Sequence, residues 1–355
     1  MNRLRIHFLN VGRGDCTIIE HPNSGHVTVV DINNGKTLTD NEENHFKQLQ
    51  KESKQLTYLV ERYTIELDDP IDYLRHKIGC RTIIRFILTH PDCDHLTGMA
   101  RLQQEMNAGS LAVYNFWNLD TIKKINEFKS DEEEESWNTY QKWKNKDFSR
   151  SYTRGDSYQY FNLDREGNPP GDGIHILSPD KKLLEDAKNR FPTKPDIYNN
   201  TSYILLLKYG QAKIILGGDA FGSEGSTSPS NNPQDGTLPN AWQYLLNTTD
   251  HNQLKNIALL KASHHGLESG LHPKAVELMN PQITIISEGP KQDQDAQPRY
   301  PNQTLSTRFY GTIVADVFVD GTVRLWTRKF RKNHGSRSEK NSLGFFLNDK
   351  SFLIF

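Results

Sequence analysis

The sequence predicts a mixed α/β domain, and three observations predict it. Short apolar, β-branched runs at residues 82–88, 203–207, 213–216 and 283–286 have the length and composition of buried strands. Stretches of helical period lie between such runs, at 40–79, 96–106 and 275–279, so strands and helices alternate instead of separating into two sets. No internal repeat interrupts that order. The 355 residues are therefore read as one domain with insertions at about 40–79, 116–172 and 221–253.

Composition narrows the class without naming it. Hydrophobic residues make up 35% and charged residues 25%, with a net charge of −1, which is polar but globular and offers no global attraction to nucleic acid or an anionic membrane. No apolar segment has the length of a bilayer span, and Met1-Asn2-Arg3-Leu4-Arg5 runs straight into an alternating pattern without a signal-peptide core, so a cytoplasmic protein is expected. Three cysteines at unrelated spacings, Cys16, Cys80 and Cys93, fit reduced thiols better than a disulfide framework.

Each element has its own signal. Leu4, Ile6 and Phe8 alternate with Arg5 and His7, a half-buried strand. The loop Asn10-Val11-Gly12-Arg13-Gly14-Asp15 lacks the spacing of a P-loop or dinucleotide fingerprint and reads as a tight turn. Strands over 16–20 and 27–31 follow, the second closed by Asp31-Ile32-Asn33-Asn34-Gly35. Asp69-Pro70 places a capping carboxylate before a first-turn proline, which predicts a helix with Leu74 and Ile78 on its buried face.

The run 82–88 is a buried strand, and 96–106 a helix beginning beside the polar loop that follows it. Residues 107–173 carry the weakest pattern. A strand is expected over 111–115, the acidic run 131–135 reads as solvated surface, and the aromatics Trp137, Tyr140, Trp143, Tyr152, Tyr158, Tyr160 and Phe161 read as an inserted lid packed on the core. After a strand over 174–177, a hairpin of 203–207 and 213–216 ends in Gly217-Gly218-Asp219. Residues 223–239, rich in Ser, Asn, Pro and Gly, form a surface loop, and a buried strand over 257–260 runs into Ser263-His264-His265-Gly266. A helix over 275–279, a strand over 283–286 and a hairpin of 313–317 and 322–326 about Asp320-Gly321 complete the pattern ahead of a basic tail.

The chemistry collects at strand ends. His90-Pro91-Asp92-Cys93-Asp94-His95 puts two imidazoles and two carboxylates within six residues, directly after a buried strand. Asp219 ends a second strand, and His264 with His265 follows a third. Taken alone, the first segment also fits an Asx-rich turn held by its own hydrogen bonds. Taken with the others, it is part of a mixed imidazole and carboxylate set that suits zinc or manganese and, without a thiolate cluster, is unlike a structural zinc site. Cys93 reads as a small buried filler between two ligands. Seven candidates exceed what one tetrahedral ion uses, so two ions sharing a carboxylate are the simplest fit.

These motifs resemble a family. His90-Pro91-Asp92-Cys93-Asp94-His95 resembles the HxHxDH signature of the metallo-β-lactamase superfamily, in the Asp-for-His form of the soluble hydrolase domain of ComEC DNA-uptake proteins. The stretch from Phe8 to Asp15 is similar to that group's DVGQGD loop. Asn199-Asn200-Thr201-Ser202 with Gly218-Asp219 resembles its NxxS…GD hairpin, and Ser263-His264-His265-Gly266 its SHHG. The motifs occur in family order from residue 4 to about 326. Two departures stand out: Arg299-Tyr300-Pro301-Asn302 replaces a YGHP segment and has no histidine, and no stretch of these 355 residues reads as a transmembrane channel.

The resemblance implies a four-layered αββα sandwich with a dinuclear site at one edge. His90 and Asp92 would hold one divalent ion, Asp94 and His95 the other; Asp219 would bridge, and one of His264 and His265, with His265 favoured, would be the last ligand. His264 would then stand near a leaving group or phosphate, Asp94 or Asp219 would orient the hydroxide, and Asp15, Asn200 and Ser202 would be substrate-side or behind the ligands. The implied activity is metal-dependent phosphodiester hydrolysis, most readily by a nuclease with zinc or manganese. Two alternatives remain open at this point. One is hydrolysis of a small ester, lactone, lactam or cyclic nucleotide. The other is a partner-controlled protein with a scaffold-like site, its insertions binding another chain. Local clusters at Lys142, Lys144, Lys146, Arg150 and Arg154, and at Arg328, Lys329, Arg331 and Lys332, would offer a basic face to a nucleic acid or nucleotide despite the neutral average.

Overall fold

The computed structural model describes residues 3–35, 67–119, 128–156, 173–190, 199–222, 240–288, 299–327 and 345–346. Most of the expected insertions, Tyr158, Tyr160 and Phe161, the loop 223–239 and the basic cluster from Arg328 lie outside the described residues.

Two large sheets and a separate two-stranded ladder build the protein. The alternating N-terminus forms β1 (Leu4–Phe8), which pairs antiparallel with β2 (Thr17–Glu20), itself antiparallel to β3 (Val27–Val30). The run expected as one strand over 82–88 is broken. Its first part, β4 (Thr82–Ile83), pairs with β6 (Ala112–Val113), while β5 (Arg85–Ile87) runs parallel to β3. The step falls at Ile84, whose N–H donates to the Val27 carbonyl and whose carbonyl accepts from Asn115 Nδ2, so the chain passes from one ladder to the other with its polar groups satisfied. β7 (Phe116–Trp117) and β8 (Ser149–Arg150) extend the sheet beyond β5.

The second sheet is made of β9 (Ile174–Ser178), β10 (Ile204–Tyr209), β11 (Ala212–Leu216), β12 (Leu259–Lys261), β13 (Ile283–Ile286) and β14 (Gln303–Ser306). The hairpin of β15 (Ile313–Val317) and β16 (Val323–Thr327), with β17 (Phe345–Phe346) beside it, returns to the first sheet against β1. The resulting orders are β17-β16-β15-β1-β2-β3-β5-β7-β8 and β14-β13-β12-β11-β10-β9.

Strand alternation assigns the layers. Leu205 and Leu207 of β10 face inward with Ile6, Phe8, Ile87, Ile214, Leu216 and Ile285 in a core between the two sheets. The intervening Ile204 and Leu206 face outward with Trp242, Leu245, Val276 and Met279 from helices Ala241–Thr248 and Pro273–Met279. Across the molecule, Ile18, Val29 and Phe86 meet Leu74, Met99, Leu102, Trp137, Tyr140 and Trp143. These come from the π-helical turns Tyr73–Ile78 and the helices Met99–Asn107 and Asp131–Trp143. The four-layered αββα sandwich is thus the observed fold, and each sheet is apolar on both faces because each is covered on both.

Two elements depart from expectation. The acidic run is the first turn of helix Asp131–Trp143, capped by Ser130 accepting from the Glu133 amide, where carboxylates complement the helix dipole. The aromatics Trp137, Tyr140 and Trp143 are that helix's buried stripe and form part of the outer layer instead of a lid. Asp69 caps its helix as expected, accepting from the Ile71 and Asp72 amides. Among the described residues no helix is long and apolar enough to cross a membrane.

Leu205 is fully buried between the sheets, so Leu205→Ala is expected to lower unfolding free energy by about 2–5 kcal/mol in denaturant titration. A change below about 1 kcal/mol would contradict the inter-sheet core.

Candidate metal centre

The site forms where strands of both sheets end. β11 and β12 run parallel, so the loops after Leu216 and Lys261 leave at one end, and the loop after β5 meets them there. The first of the ligand motifs is partly helical: Asp94 and His95 lie in the short helix Cys93–Leu96. The helix expected from 96 starts again at Met99. A helical turn places Asp94 and His95 on different sides of one rigid unit, which a loop would not hold as firmly.

Asp219 is the centre of the arrangement. Its Oδ2 lies 3.2 Å from His95 Nε2, 3.4 Å from His265 Nε2, 3.8 Å from His90 Nε2 and 4.0 Å from His264 Nε2. Asp94 Oδ2 is 3.3 Å from His265 Nε2, and Asp92 Oδ2 is 3.5 Å from His90 Nε2. Side chains of His90, His95, Asp219 and His265 are at most 4% exposed, whereas those of Asp92, Asp94 and His264 are 28%, 31% and 21% exposed and mark the mouth. Cys93 is only half-buried, and burial followed by the Glu133 and Asp94 charges pushes its thiol up to about 12, so it stays protonated between the two carboxylates.

The imidazoles are oriented from behind. His95 Nδ1 donates to Asp31 Oδ2 at 2.9 Å, and His265 Nδ1 donates to the Ser287 carbonyl at 3.1 Å. Thr89 Oγ1 donates to Asp31 Oδ2, which leaves it accepting from His90 Nδ1 at 3.1 Å. In each case Nδ1 is committed and Nε2 is turned toward Asp219, the arrangement in which a neutral imidazole offers its lone pair to a cation. Asp31 also accepts from the Thr89 amide at 2.7 Å, so one buried carboxylate fixes both His95 and the start of the ligand segment. Sequence reading placed Asp31 in a strand-closing turn and missed this function; its only signal was an acidic residue at the end of a buried strand.

The backbone is shaped to bring these groups together. Asp219 N donates to Ser202 Oγ at 3.0 Å, and Asn200 Oδ1 accepts from Ala241 N, so both residues hold elements behind Asp219. At Gly218, φ is +50° and a Cβ would come 2.4 Å from Ser202 Oγ, which explains the glycine before the central carboxylate. At Gly14, φ is +133° and a Cβ would lie 2.3 Å from the Asp94 carbonyl; the Gly12–Asp15 loop is the surface on which the Asp94 turn rests. Asp15 N donates to that carbonyl, and Asn33 Nδ2 reaches it as well. His264 and His265 both have positive φ, 50° and 52°, a strained state costing about 1–3 kcal/mol each that the His264 N to Gly218 O bond helps to maintain.

Electrostatics fits the same geometry. Burial works against charge at Asp94 and Asp219, yet the neighbouring histidines win and hold both carboxyls below their ordinary range. Burial likewise opposes protonation of His95 and His265, and the surrounding carboxylates, Asp219 first, override it; His95 rises well above 6.5 and His265 to about 10. His264 moves the other way because burial is its largest influence. Without a bound cation the cluster is therefore a set of imidazolium and carboxylate pairs.

A divalent cation fits these residues. Asp15, His95, Asp219 and His265 each present a ligand atom within 4.8 Å of the others, and all four are buried. His95 Nε2, His265 Nε2 and Asp219 Oδ1 are buried with no hydrogen-bond partner among the described residues, despite their short contacts. Buried polar atoms left in that condition are rare unless an ion or substrate completes them. The imidazole and carboxylate donors suit a borderline or hard metal.

Comparison with protein-family models finds no match, and comparison with curated proteins finds none. Among solved structures, the chain is similar to the metallo-β-lactamase fold protein YhfI from Bacillus subtilis, with 10% identity over 87% of this chain and 98% of that one and a TM-score of 0.41. It is also similar to a diphosphatase from the PhnP family, with 9% identity, 87% and 96% coverage and a TM-score of 0.38. A long form RNase Z from yeast aligns with 10% identity over 88% of this chain and 42% of that one, TM-score 0.36. At such scores the likeness carries no functional argument, and the αββα order rests on this chain's own strand pairing.

Two outcomes are expected at this site. Asp31→Ala is expected to weaken Zn²⁺ or Mn²⁺ binding about 10–100-fold by calorimetry while the fold is retained; unchanged affinity would show that His95 needs no orientation. Because His95 and His265 carry protons at pH 7 when no cation is bound, loading must release them. Titrations in two buffers of different ionisation enthalpy are expected to show release of at least one proton per ion, with affinity falling as pH falls. The stabilisation from raised His265 in the metal-free protein is present below about 6.5 and lost as pH rises through about 10.

Proposed function

We propose that the protein is a metal-dependent hydrolase of phosphodiester bonds, with His90, Asp92, Asp94, His95, Asp219 and His265 as the ligands of two divalent ions, zinc or manganese. The observation that carries the reading is the convergence of four imidazole Nε2 atoms, from two strand ends, on one carboxylate oxygen of Asp219 at a third. Bound ions of this kind supply an acidified water and neutralise charge on the departing oxygen. The two ions would set four positive charges against the three carboxylates that touch them, Asp92, Asp94 and Asp219, so an anionic ester would find unbalanced positive charge at the mouth, the buried Asp31 balancing it only from behind His95. Asp15 does not change that sum because Lys261 pairs with it at 2.5 Å.

The chain's own groups complete the reaction. Asp94, at the mouth, would orient the attacking water, with Asp219 behind. His264 Nδ1 lies 2.5 Å from Ser269 Oγ. When that hydroxyl donates, the imidazole carries its proton on Nε2, from which it would hydrogen-bond a phosphoryl oxygen, while the leaving oxygen would take its proton from solvent at the mouth. Its lowered pKa keeps the ring neutral near pH 7, so it serves through this tautomer.

One feature favours a compact substrate, such as a cyclic or short dinucleotide, over a long nucleic acid. The acidic first turn of helix Asp131–Trp143 stands beside the mouth: Glu132 Oε2 accepts from Asn34 Nδ2 at 2.8 Å, and the Glu133 carboxylate faces Cys93. The basic groups Lys142 and Lys146 lie toward the other end of that helix and just beyond it, about 20 Å from its acidic start. An extended polyanion crossing that wall would meet repulsion.

With Mn²⁺ and with Zn²⁺, turnover of bis-p-nitrophenyl phosphate, linear DNA, a cyclic dinucleotide and a lactam separates the readings. Phosphodiester hydrolysis is expected, and His90→Ala and Asp219→Ala are each expected to lower it at least about 100-fold. Hydrolysis of the lactam alone, or undiminished diesterase activity in both variants, would overturn the proposal.

A further inference from the structure

The site is assembled from two sheets, and something must set the interval between its halves. His90, Asp92, Asp94 and His95 follow β5 of the nine-stranded sheet; Asp219, His264 and His265 follow β11 and β12 of the six-stranded sheet. One half is joined by backbone, since Tyr203 N at the start of β10 donates to the Thr89 carbonyl beside His90. The other half is joined by side chains. Lys261, the last residue of β12 and only 3% exposed, places Nζ 2.5 Å from Asp15 Oδ2 on the loop between β1 and β2. Asp15 is itself 1% exposed, and its amide donates to the carbonyl of Asp94. The path from Lys261 through Asp15 therefore ends on the Asp94 turn, while Lys261 is four residues ahead of His265 on the same chain.

Resting on the metal-site reading above, we propose that Lys261 is a positioning residue: through Asp15 it sets the separation of Asp94 from His265, and with it the affinity for the ion those two share. Several facts point the same way. Asp15 Oδ2 lies 3.8 Å from His265 Nδ1 and 4.0 Å from His95 Nδ1, so the carboxylate sits behind both imidazoles, and the ammonium occupies the flank that a further cation would otherwise take. A buried ion pair is a weak source of stability, because desolvating both charges offsets most of their attraction. A lysine buried at this junction is better accounted for by the geometry it enforces. Its fixed positive charge also balances Asp15, so Asp15 does not compete with Asp94 for the shared ion.

The test separates position from stability. Lys261→Met alone leaves a buried carboxylate unpaired and is expected to destabilise the protein. In the Asp15→Asn/Lys261→Met double variant both charges are gone, so the thermal midpoint is expected to return close to that of the wild type. Calorimetric titration with Mn²⁺ alone is then expected to show one ion bound within about threefold of wild-type affinity, held by the His90 half. The second ion should bind at least tenfold more weakly. The exchange-coupled manganese signal in electron paramagnetic resonance should be lost at concentrations that saturate the wild type. A folded double variant that binds both ions with wild-type affinity and coupling overturns the proposal, and so does a double variant that no longer folds, which would assign the pair to general stability. Failure of the underlying reading is distinct: the wild type itself would bind no Mn²⁺.

Discussion

A carboxylate buried among imidazoles governs this structure. Asp219 is 2% exposed, and an anion so placed would cost several kcal/mol in desolvation if nothing positive surrounded it. Four histidines from two loops supply that surrounding, either as imidazolium or as fellow ligands of a cation. Every other feature of the region follows from the need to bring them there. The parallel pairing of β11 with β12 puts two of the loops at one end, Gly218 lets Asp219 turn inward past Ser202, and left-handed backbone at His264 and His265 aims two adjacent side chains at neighbouring positions.

The four-layer sandwich supplies the rigidity this requires. Each sheet is apolar on both faces, so strand ends cannot shift without disturbing a core on either side. Buried groups and groups at the mouth divide the work: His95, His265, His90 and Asp219 lie deep, while Asp92, Asp94 and His264 are reached from solvent. The acidic start of helix Asp131–Trp143 borders that mouth, so the helix that covers one sheet also shapes the electrostatic field there.

How much of this the sequence disclosed depended on distance along the chain. The candidate ligand segments were legible because their donors are neighbours at strand ends, and the alternation of residues such as those of β1 and β10 is a local consequence of strand geometry. Asp31, Thr89 and Lys261 were not legible as site residues, since each acquires its part only by meeting a residue far away in sequence: His95, His90 and Asp15 respectively. The break at Ile84 was hidden for a related reason. An apolar β-branched run has the same pattern whether it stays in one ladder or crosses to another, and the choice is made by Val27 and Asn115. The aromatics of helix Asp131–Trp143 had helical spacing, yet the acidic turn before them masked a buried stripe as surface.

The central claim is that Asp219 lies between cations. Crystals grown with Mn²⁺, with anomalous data collected above and below the manganese edge, test it directly. The account predicts two anomalous peaks flanking the Asp219 carboxylate, one beside His90 and Asp92 and one beside Asp94 and His265, at ligand distances of about 2.0–2.3 Å. Maps without a peak at coordinating distance from Asp219, its Oδ2 still held by imidazolium groups alone, would contradict it.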